Sequence, residues 1–274
     1  MSKTYKTVIE ATNPWKPFDF KEIIRYKDMF YYKIINGYKA EQRQTVLSYF
    51  WVILDPFVNI VFLTIVFGKL AKVDTGDIPY PAFSAAVMAG WVFLSNSLNG
   101  SVHSISSESN LMQKVYFPRI YIPIVPTIIN FPNFLIQLSC TFCVLIYYDY
   151  FPTLQLIYLI PVILCAIVFS TAVGLLCTTF FVQFRDLPRV WSYAMRFYMY
   201  ILPIAYPTNN VPEKYLWLYN LNPGVPIIQG FRAAMLGTPM PWVSLGIAFI
   251  SSVALLYVGA VIFRYREPNI VDAM

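Results

Sequence analysis

Two cysteines three residues apart, Cys140 and Cys143, are the first pair in the chain whose spacing suits chemistry. A CxxC can hold a metal or cycle between thiol and disulfide, but either role calls for polar partners. Here both, like Cys165 and Cys177, lie inside apolar runs, where a cysteine acts as a small hydrophobe. The single histidine, His103, leaves little for a histidine-based metal site. No GxxxxGK[ST] occurs: Leu63 stands where the motif would need its first glycine ahead of Gly68-Lys69, which excludes a P-loop. HExxH, GxSxG and GxGxxG are also absent. The acids Asp55, Glu108, Asp149, Asp186 and Glu213 stand singly, and Asp74 and Asp77 share a short polar loop that reads as solvated. Asn99-Gly100-Ser101 matches a glycosylation sequon but sits within an apolar span. Nothing here assembles a catalytic centre, so the chain reads as no enzyme, with no cofactor or metal of its own.

What remains is binding chemistry. Residues 104–119 open on serines, which favour helix starts, and end at Pro118, which stops a helix; they carry Glu108, Lys114 and Arg119. Residues 183–189 form a tight charged turn with Arg185, Asp186 and Arg189. Both suit either plain charged anchors at a membrane face or a docking surface for a motor. The chain also holds 21 Tyr and 22 Phe, more than interfacial belts need. Tyr193, Phe197, Tyr198 and Tyr200 lie beside Arg196 within one apolar stretch, and Trp51, Phe57 and Phe62 lie in an earlier one. Aromatic faces stack on sugar rings without fixing a register, although packing against lipid or protein explains them equally.

The elements that must position these groups are membrane spans. Only 12% of the 274 residues are charged and 58% are hydrophobic, with mean hydropathy +0.56. A soluble domain carries about 25% charged residues, so lipid is the solvent implied for most of this chain. Crossing ~30 Å of hydrocarbon at ~1.5 Å per residue takes about 20 apolar residues. Six stretches qualify: 50–67, 82–102, 120–148, 154–182, 187–206 and 242–263. The third and fourth must tilt, kink or overrun the bilayer, and Pro123, Pro126 and Pro132 favour a kink in the third. With the N-terminus cytoplasmic, the outer segments hold Lys69, Lys72, Lys214 and Arg232 of the 20 lysines and arginines. The other sixteen face the cytoplasm, which predicts both termini inside. The net charge of +6 forms no basic stripe, which argues against nucleic acid.

The first 45 residues are polar with no short apolar core, so no cleavable signal is expected. They contain an amphipathic pattern with Phe20, Ile23, Ile24, Phe30, Tyr31, Ile34 and Ile35 on one face. Lys21, Glu22, Arg25, Asp28 and Lys33 fall elsewhere, with Lys27 the misfit. Such a helix suits the inner membrane surface or a protein partner. Residues 207–241 are too long for a plain turn. Two short apolar stretches, 211–221 and 227–236, flank Asn222-Pro223-Gly224 and predict two helices dipping into the outer membrane half.

The chain resembles the membrane subunits of ABC transporters that export O-antigen, capsular polysaccharide or teichoic acid, the ABC-2 permease type. The likeness rests on Arg25-Tyr26-Lys27-Asp28, residues 44–51, Val66-Phe67-Gly68, Pro79-Tyr80-Pro81 and Ser109-Asn110-Leu111. It continues through residues 114–119 (KVYFPR), Phe184-Arg185-Asp186, residues 203–207, Asn222-Pro223 and Gly230-Phe231-Arg232, in family order over about residues 20–265. Ser48 stands where the family usually has a small residue in its Leu-Gly-x-x-Trp stretch.

The resemblance implies an all-α membrane protein of six transmembrane helices, with an N-terminal interface helix and two outer re-entrant helices before the last span. Residues 1–45 would be a cytoplasmic segment, 46–265 the ABC-2 type transmembrane domain and 266–274 a cytoplasmic tail. It implies a homodimer in the bacterial cytoplasmic membrane, bound to two copies of a separate ATP-binding subunit that holds ATP and Mg. The cargo would be a glycan on a polyprenyl pyrophosphate lipid. Placed on this frame, Arg25, Asp28, Glu108, Asn110 and Lys114 are candidates for coupling to the ATPase. Lys114 and Arg119 are candidates for the lipid pyrophosphate, and Trp51, Phe57, Phe62, Tyr193, Arg196, Phe197 and Tyr200 for the glycan channel.

Three other classes compete. An ion-coupled secondary transporter calls for paired intramembrane acids, and Asp55 and Asp149 stand apart. A membrane transferase calls for an acid, base or metal cluster, which the sequence lacks. A small-molecule ABC-2 exporter shares the fold but usually lacks the KVYFPR-like segment.

Overall fold

A computed structural model describes residues 24–43, 48–108, 118–151, 153–181, 184 and 186–272. These are all helix and connection, with no strand among them. In chain order the helices are α1 Lys27–Arg43, α2 Ser48–Leu63, α3 Tyr80–Ser107, α4 Val125–Ile129 and α5 Phe131–Tyr147. They continue as α6 Leu159–Phe181, α7 Leu187–Ile201, α8 Glu213–Asn220, α9 Gly224–Leu236 and α10 Trp242–Asp272.

Among the described residues five helical stretches are long and apolar enough to cross a membrane: Phe50–Leu70, Tyr80–Ser107, Val125–Tyr147, Leu154–Phe181 and Trp242–Glu267. The first ends in a π-helical turn, Thr64–Leu70, that the sequence did not announce. The third is broken, as its prolines predict: α4 stops at Asn130, whose amide donates to the Pro126 carbonyl at 2.9 Å, and Pro132 sits in the first turn of α5. The fourth begins as a 3-10 turn, Leu154–Tyr158, before α6.

The expected fifth span, 187–206, is not among the five. Helix α7 has 15 residues, about 22 Å of rise where the hydrocarbon core needs ~30 Å. It stops at Leu202, and the turn that follows, Leu202 to Ala205, is buried.

Helix α3 is the hub. It packs against α2, α4, α5, α6, α7 and α9, and most of its side chains are buried. Its composition permits this, because Ala82, Ala85, Ala86, Ala89 and Gly90 let neighbours approach closely. A β-carbon on Gly90 would meet the Phe231 ring at 2.4 Å, so the glycine is what admits α9. Between α3 and α6, Gly174 faces Ser101, and the Thr178 hydroxyl donates to the Ser101 carbonyl at 2.8 Å. Small polar groups thus join helices where lipid supplies no hydrophobic drive. Helix α10 lies along α6. By contrast α2 and α7 are thinly covered, and α7 buries Met195 alone.

Helix α1 lies across α4 at the end of the bundle where α3 finishes. Its packed side is rotated from the predicted face. Tyr26, Met29, Phe30 and Lys33 meet Tyr121, with the Phe30 and Tyr121 rings 4.9 Å apart, and Gly37 lets the Ile129 side chain in. Ile24 and Tyr31 are 65% and 67% exposed, and Phe20 and Ile23 lie outside the described residues. A helical wheel ranks side chains by hydropathy, so it puts Lys33 outside. The structure turns Lys33 inward because an acid awaits it there, which leaves Ile24 and Tyr31 facing outward while Phe30, Ile34 and Ile35 stay half-buried.

The segment between α7 and α10 contains the two short helices that the sequence suggested, separated by Asn222-Pro223. They are unlike each other. Helix α9 is buried from Gly224 to Met235, whereas α8 buries nothing.

Candidate functional site

At the α1 end, Glu108 follows the last turn of α3 and its carboxylate meets the Lys33 ammonium at 3.1 Å. The pair ties α1 to α3, and both partners are half-buried. Of the coupling candidates, Arg25 stands exposed just ahead of α1 and Asp28 exposed on it, while Asn110 and Lys114 lie outside the described residues. Glu108 is therefore joined to α1 through Lys33, a residue that sequence reasoning left off the list.

Arg119 belongs to the same end. Its guanidinium donates to the Glu267 main-chain carbonyl at 3.3 Å, near the C-terminal part of α10. There Arg264, itself buried, pairs with the Glu267 carboxylate at 3.1 Å. Ile105, Ile120, Ile122 and Phe263 form a small core beneath these charges. Among the described residues Arg119 makes one long hydrogen bond, to a neutral acceptor that does not cancel its charge.

The aromatic candidates divide between two surfaces. On α2, Trp51 and Phe62 are exposed and share a face, eleven residues apart. Phe57 turns aside into an apolar groove of about 490 Å³ between α2 and α5, with Ile60, Cys143 and Tyr147. On α7, Tyr193, Phe197 and Tyr200 are all exposed and recur at spacings of four and three, which places them on one face. Arg196 is exposed beside them, its guanidinium 5.7 Å from the Tyr193 ring centre.

Between α3 and α7 runs a second groove of about 610 Å³. Trp91, Asn99 and His103 line it from α3, and Ser192, Arg196 and Tyr200 from α7. Both helices are fixed there. The Trp191 indole donates to the Asn99 side-chain oxygen at 2.8 Å. Further along, the Tyr198 hydroxyl donates to the Asn222 side-chain oxygen at 2.9 Å, which also accepts from the Gly224 amide at 3.0 Å. Asn222 so links α7 to the start of α9.

The opposite end holds a residue whose role the sequence hid. Arg232, read as an outer-loop charge, is buried in α9. Its guanidinium donates to the Pro203 carbonyl at 2.6 Å and the Ile204 carbonyl at 3.3 Å, and lies 3.7 Å from the Phe83 ring centre. The Tyr80 hydroxyl donates to the Ala205 carbonyl at 2.7 Å. Together they satisfy the carbonyls released where α7 ends, which is what allows non-helical backbone at this depth of the fold. The Gly230-Phe231-Arg232 motif was visible in the sequence, but not the turn it serves.

Among the described residues no cluster of His, Cys, Asp and Glu could hold a metal ion, and all four cysteines are free.

Comparison with known proteins gives this geometry a context. The pattern of the ABC-2 type transporter family matches residues 34–236, from within α1 to the last residue of α9. The chain is 25% identical over 257 residues to an O-antigen export system permease protein RfbA of Klebsiella pneumoniae, covering 92% of this chain and 95% of the relative. It is 23% identical over 257 residues to the Myxococcus xanthus protein of the same name, covering 93% and 98%.

Proposed function

Because the chain belongs to the ABC-2 type transporter family, we propose that it is the path-forming subunit of an ABC exporter for a lipid-linked polysaccharide of O-antigen type. The observation that carries this reading is the likeness to permeases named for O-antigen export, which runs over 92% of this chain and 95% of the relative. A transmembrane subunit of an ABC exporter has no ATPase site of its own, in keeping with a sequence that contains no P-loop.

In this reading residues 46–265 form the transmembrane domain, with a cytoplasmic segment before it and a short cytoplasmic tail after it. Helix α7 and the buried turn after it complete a sixth crossing, which puts both termini in the cytoplasm. Helices α8 and α9 form the outer re-entrant pair. Two copies of the chain stand side by side, and their thinly covered α2 and α7 faces bound the path. Two copies of a separate ATP-binding subunit, with ATP and Mg, dock below on the segment that follows α3, between Glu108 and Lys114, braced by α1. Arg119 and Lys114 meet the pyrophosphate of the lipid carrier through charge-assisted hydrogen bonds.

The aromatic walls suit a moving polymer. Fixed hydrogen bonds cost about 0.5–1.5 kcal/mol each to break, and several broken together would stall the chain at every sugar. Trp51 and Phe62 on α2, and Tyr193, Phe197 and Tyr200 on α7, instead offer faces that a sugar ring can slide across.

The test is deletion of the gene in its host. Surface polysaccharide should disappear while lipid-linked polymer accumulates inside. This chain together with its ATP-binding subunit should restore export, and the pair carrying an inactivated P-loop in that subunit should not. Unchanged surface polymer in the deletion strain would overturn the proposal.

A further inference from the structure

The groove between α3 and α7 has a one-sided chemistry. Its lining contains no Asp or Glu, and the charged side chain in it is Arg196. Among the described residues Arg196 makes no ion pair; its guanidinium leans on the Tyr193 ring, which orients the charge without cancelling it. The Asn99 side-chain oxygen is already occupied by the Trp191 indole at 2.8 Å, so the amide presents its NH2 group. His103 touches the Phe181 ring edge-on at 6.5 Å and contributes at least one ring N–H. The groove thus sets a guanidinium from α7 across from an amide NH2 and an imidazole from α3, with Trp91, Tyr200 and the Ser95 and Ser192 hydroxyls beside them.

A neutral sugar hydroxyl could donate to the Ser95 and Ser192 oxygens, whose own protons go to backbone carbonyls, but it would leave the guanidinium charge uncompensated. An oxyanion accepts only, and it matches the groove in both charge and hydrogen bonding. A guanidinium within an apolar helix is costly unless it meets water or a partner. The volume of about 610 Å³ is of small-ligand size. The other groove, between α2 and α5, is lined mainly by apolar side chains such as Phe57, Ile60 and Val61, with Lys69 also in its lining.

We infer that the α3–α7 groove is a transit site for an oxyanion of the exported molecule, held by Arg196, Asn99 and His103. The site rests on the exporter reading given above. The oxyanion is a phosphate or carboxylate, carried either by the lipid pyrophosphate or by acidic residues of the polymer.

The experiment reads local charge rather than export. Ser192 is exposed on the groove wall. In full-length protein in lipid nanodiscs, with the four native cysteines replaced by Ala, Ser192→Cys is labelled by a negatively and by a positively charged methanethiosulfonate. The anionic reagent should react about tenfold faster, the factor given by ~1.4 kcal/mol of attraction. Arg196→Gln should bring the two rates together. Inorganic pyrophosphate and an oligomer of uronic acid should then slow labelling, and a neutral oligosaccharide of equal length should not. Protection by pyrophosphate alone assigns the site to the lipid head group; protection by the uronate alone assigns it to the polymer. Equal reagent rates in the parent protein, or equal protection by the neutral sugar, would overturn the inference. Charge selectivity in a protein that exports no polysaccharide would instead remove the exporter reading and leave an anion groove.

Discussion

Replacing Arg232 with Met should loosen the turn after α7. The substitution keeps much of the side-chain volume but leaves the Pro203 and Ile204 carbonyls without their donor, at a cost of about 1–3 kcal/mol for each buried group. It also removes the cation from the face of Phe83. The melting temperature in detergent should fall by several degrees, and Arg232→Lys should recover only part of the loss because an ammonium lacks the planar guanidinium that stacks on Phe83. An unchanged melting temperature in Arg232→Met would show that the turn needs no such brace. Glu108 gives a second test. Reversing it to Lys sets two cations 3.1 Å apart at Lys33, whereas Lys33→Glu with Glu108→Lys rebuilds the pair with opposite polarity. Such pairs couple by about 1 kcal/mol, so the double variant should regain membrane abundance. ATP hydrolysis should still run uncoupled from export, since the carboxylate keeps 34% of its surface open to a partner. Full export from the double variant would confine Glu108 to bracing α1. Neither contact was legible in the sequence: Lys33 and Glu108 lie 75 positions apart, Arg232 and Pro203 lie 29 apart, and residue type alone ties no such pair together.

At the scale of the helix, α7 is where periodicity and composition pull in different directions. The stretch is apolar enough to suggest a span, but Arg189 and Arg196 interrupt it, and Pro203 ends what the helix could continue. The spans around it were legible because ~20 predominantly apolar residues leave few alternatives. Its end was not, because it depends on Arg232 and Tyr80 from other helices. Helix α1 was legible as amphipathic but not in its rotation, since one ion pair outweighs a hydropathy ranking there. The aromatic face of α7 yields a prediction of its own. Tyr193, Phe197 and Tyr200 are exposed and bury little, so each Ala substitution should leave membrane abundance unchanged. Each should lower surface polymer several-fold if the polymer slides over these rings. Full export in all three variants would leave the rings as lipid-facing packing. On α3, Gly174 of α6 sits so close to Ser101 that an added β-carbon would lie 2.3 Å from the serine's own. Gly174→Leu should therefore part α3 from α6 and lower the melting temperature far more than Gly246→Leu, where a β-carbon meets nothing within 4 Å.

For the whole molecule the question is how the bundle sits across the membrane. Five helices have the length and apolarity to cross, and five crossings would leave the two termini on opposite sides. The packing argues otherwise. Helix α1 and the C-terminal part of α10 sit at one end of the bundle: Lys33 of α1 holds Glu108, and Arg119, eleven residues further on, holds the Glu267 carbonyl of α10. In the exporter reading proposed above, α1 and the C-terminal part of α10 then share one face, and α7 with its following turn supplies the sixth crossing that this needs. Charge supplies the direction. That face gathers Lys33, Arg119, Arg264 and Arg266, while the far end holds Lys69, Lys72 and Lys214 after Arg232 is withdrawn into the core. Lysine and arginine near short loops are retained in the cytoplasm. Single cysteines placed at Ser2 and Asp272, in protein freed of its native cysteines, should thus react with a membrane-impermeant maleimide only after the cells are opened. A cysteine at Asn209, exposed between α7 and α8, should react in intact cells. Labelling of position 2 from outside with position 272 protected would restore an odd count and make α7 an interfacial helix. Labelling of both from outside would keep six crossings and invert the molecule, placing the Glu108 end where no ATP-binding subunit could reach it.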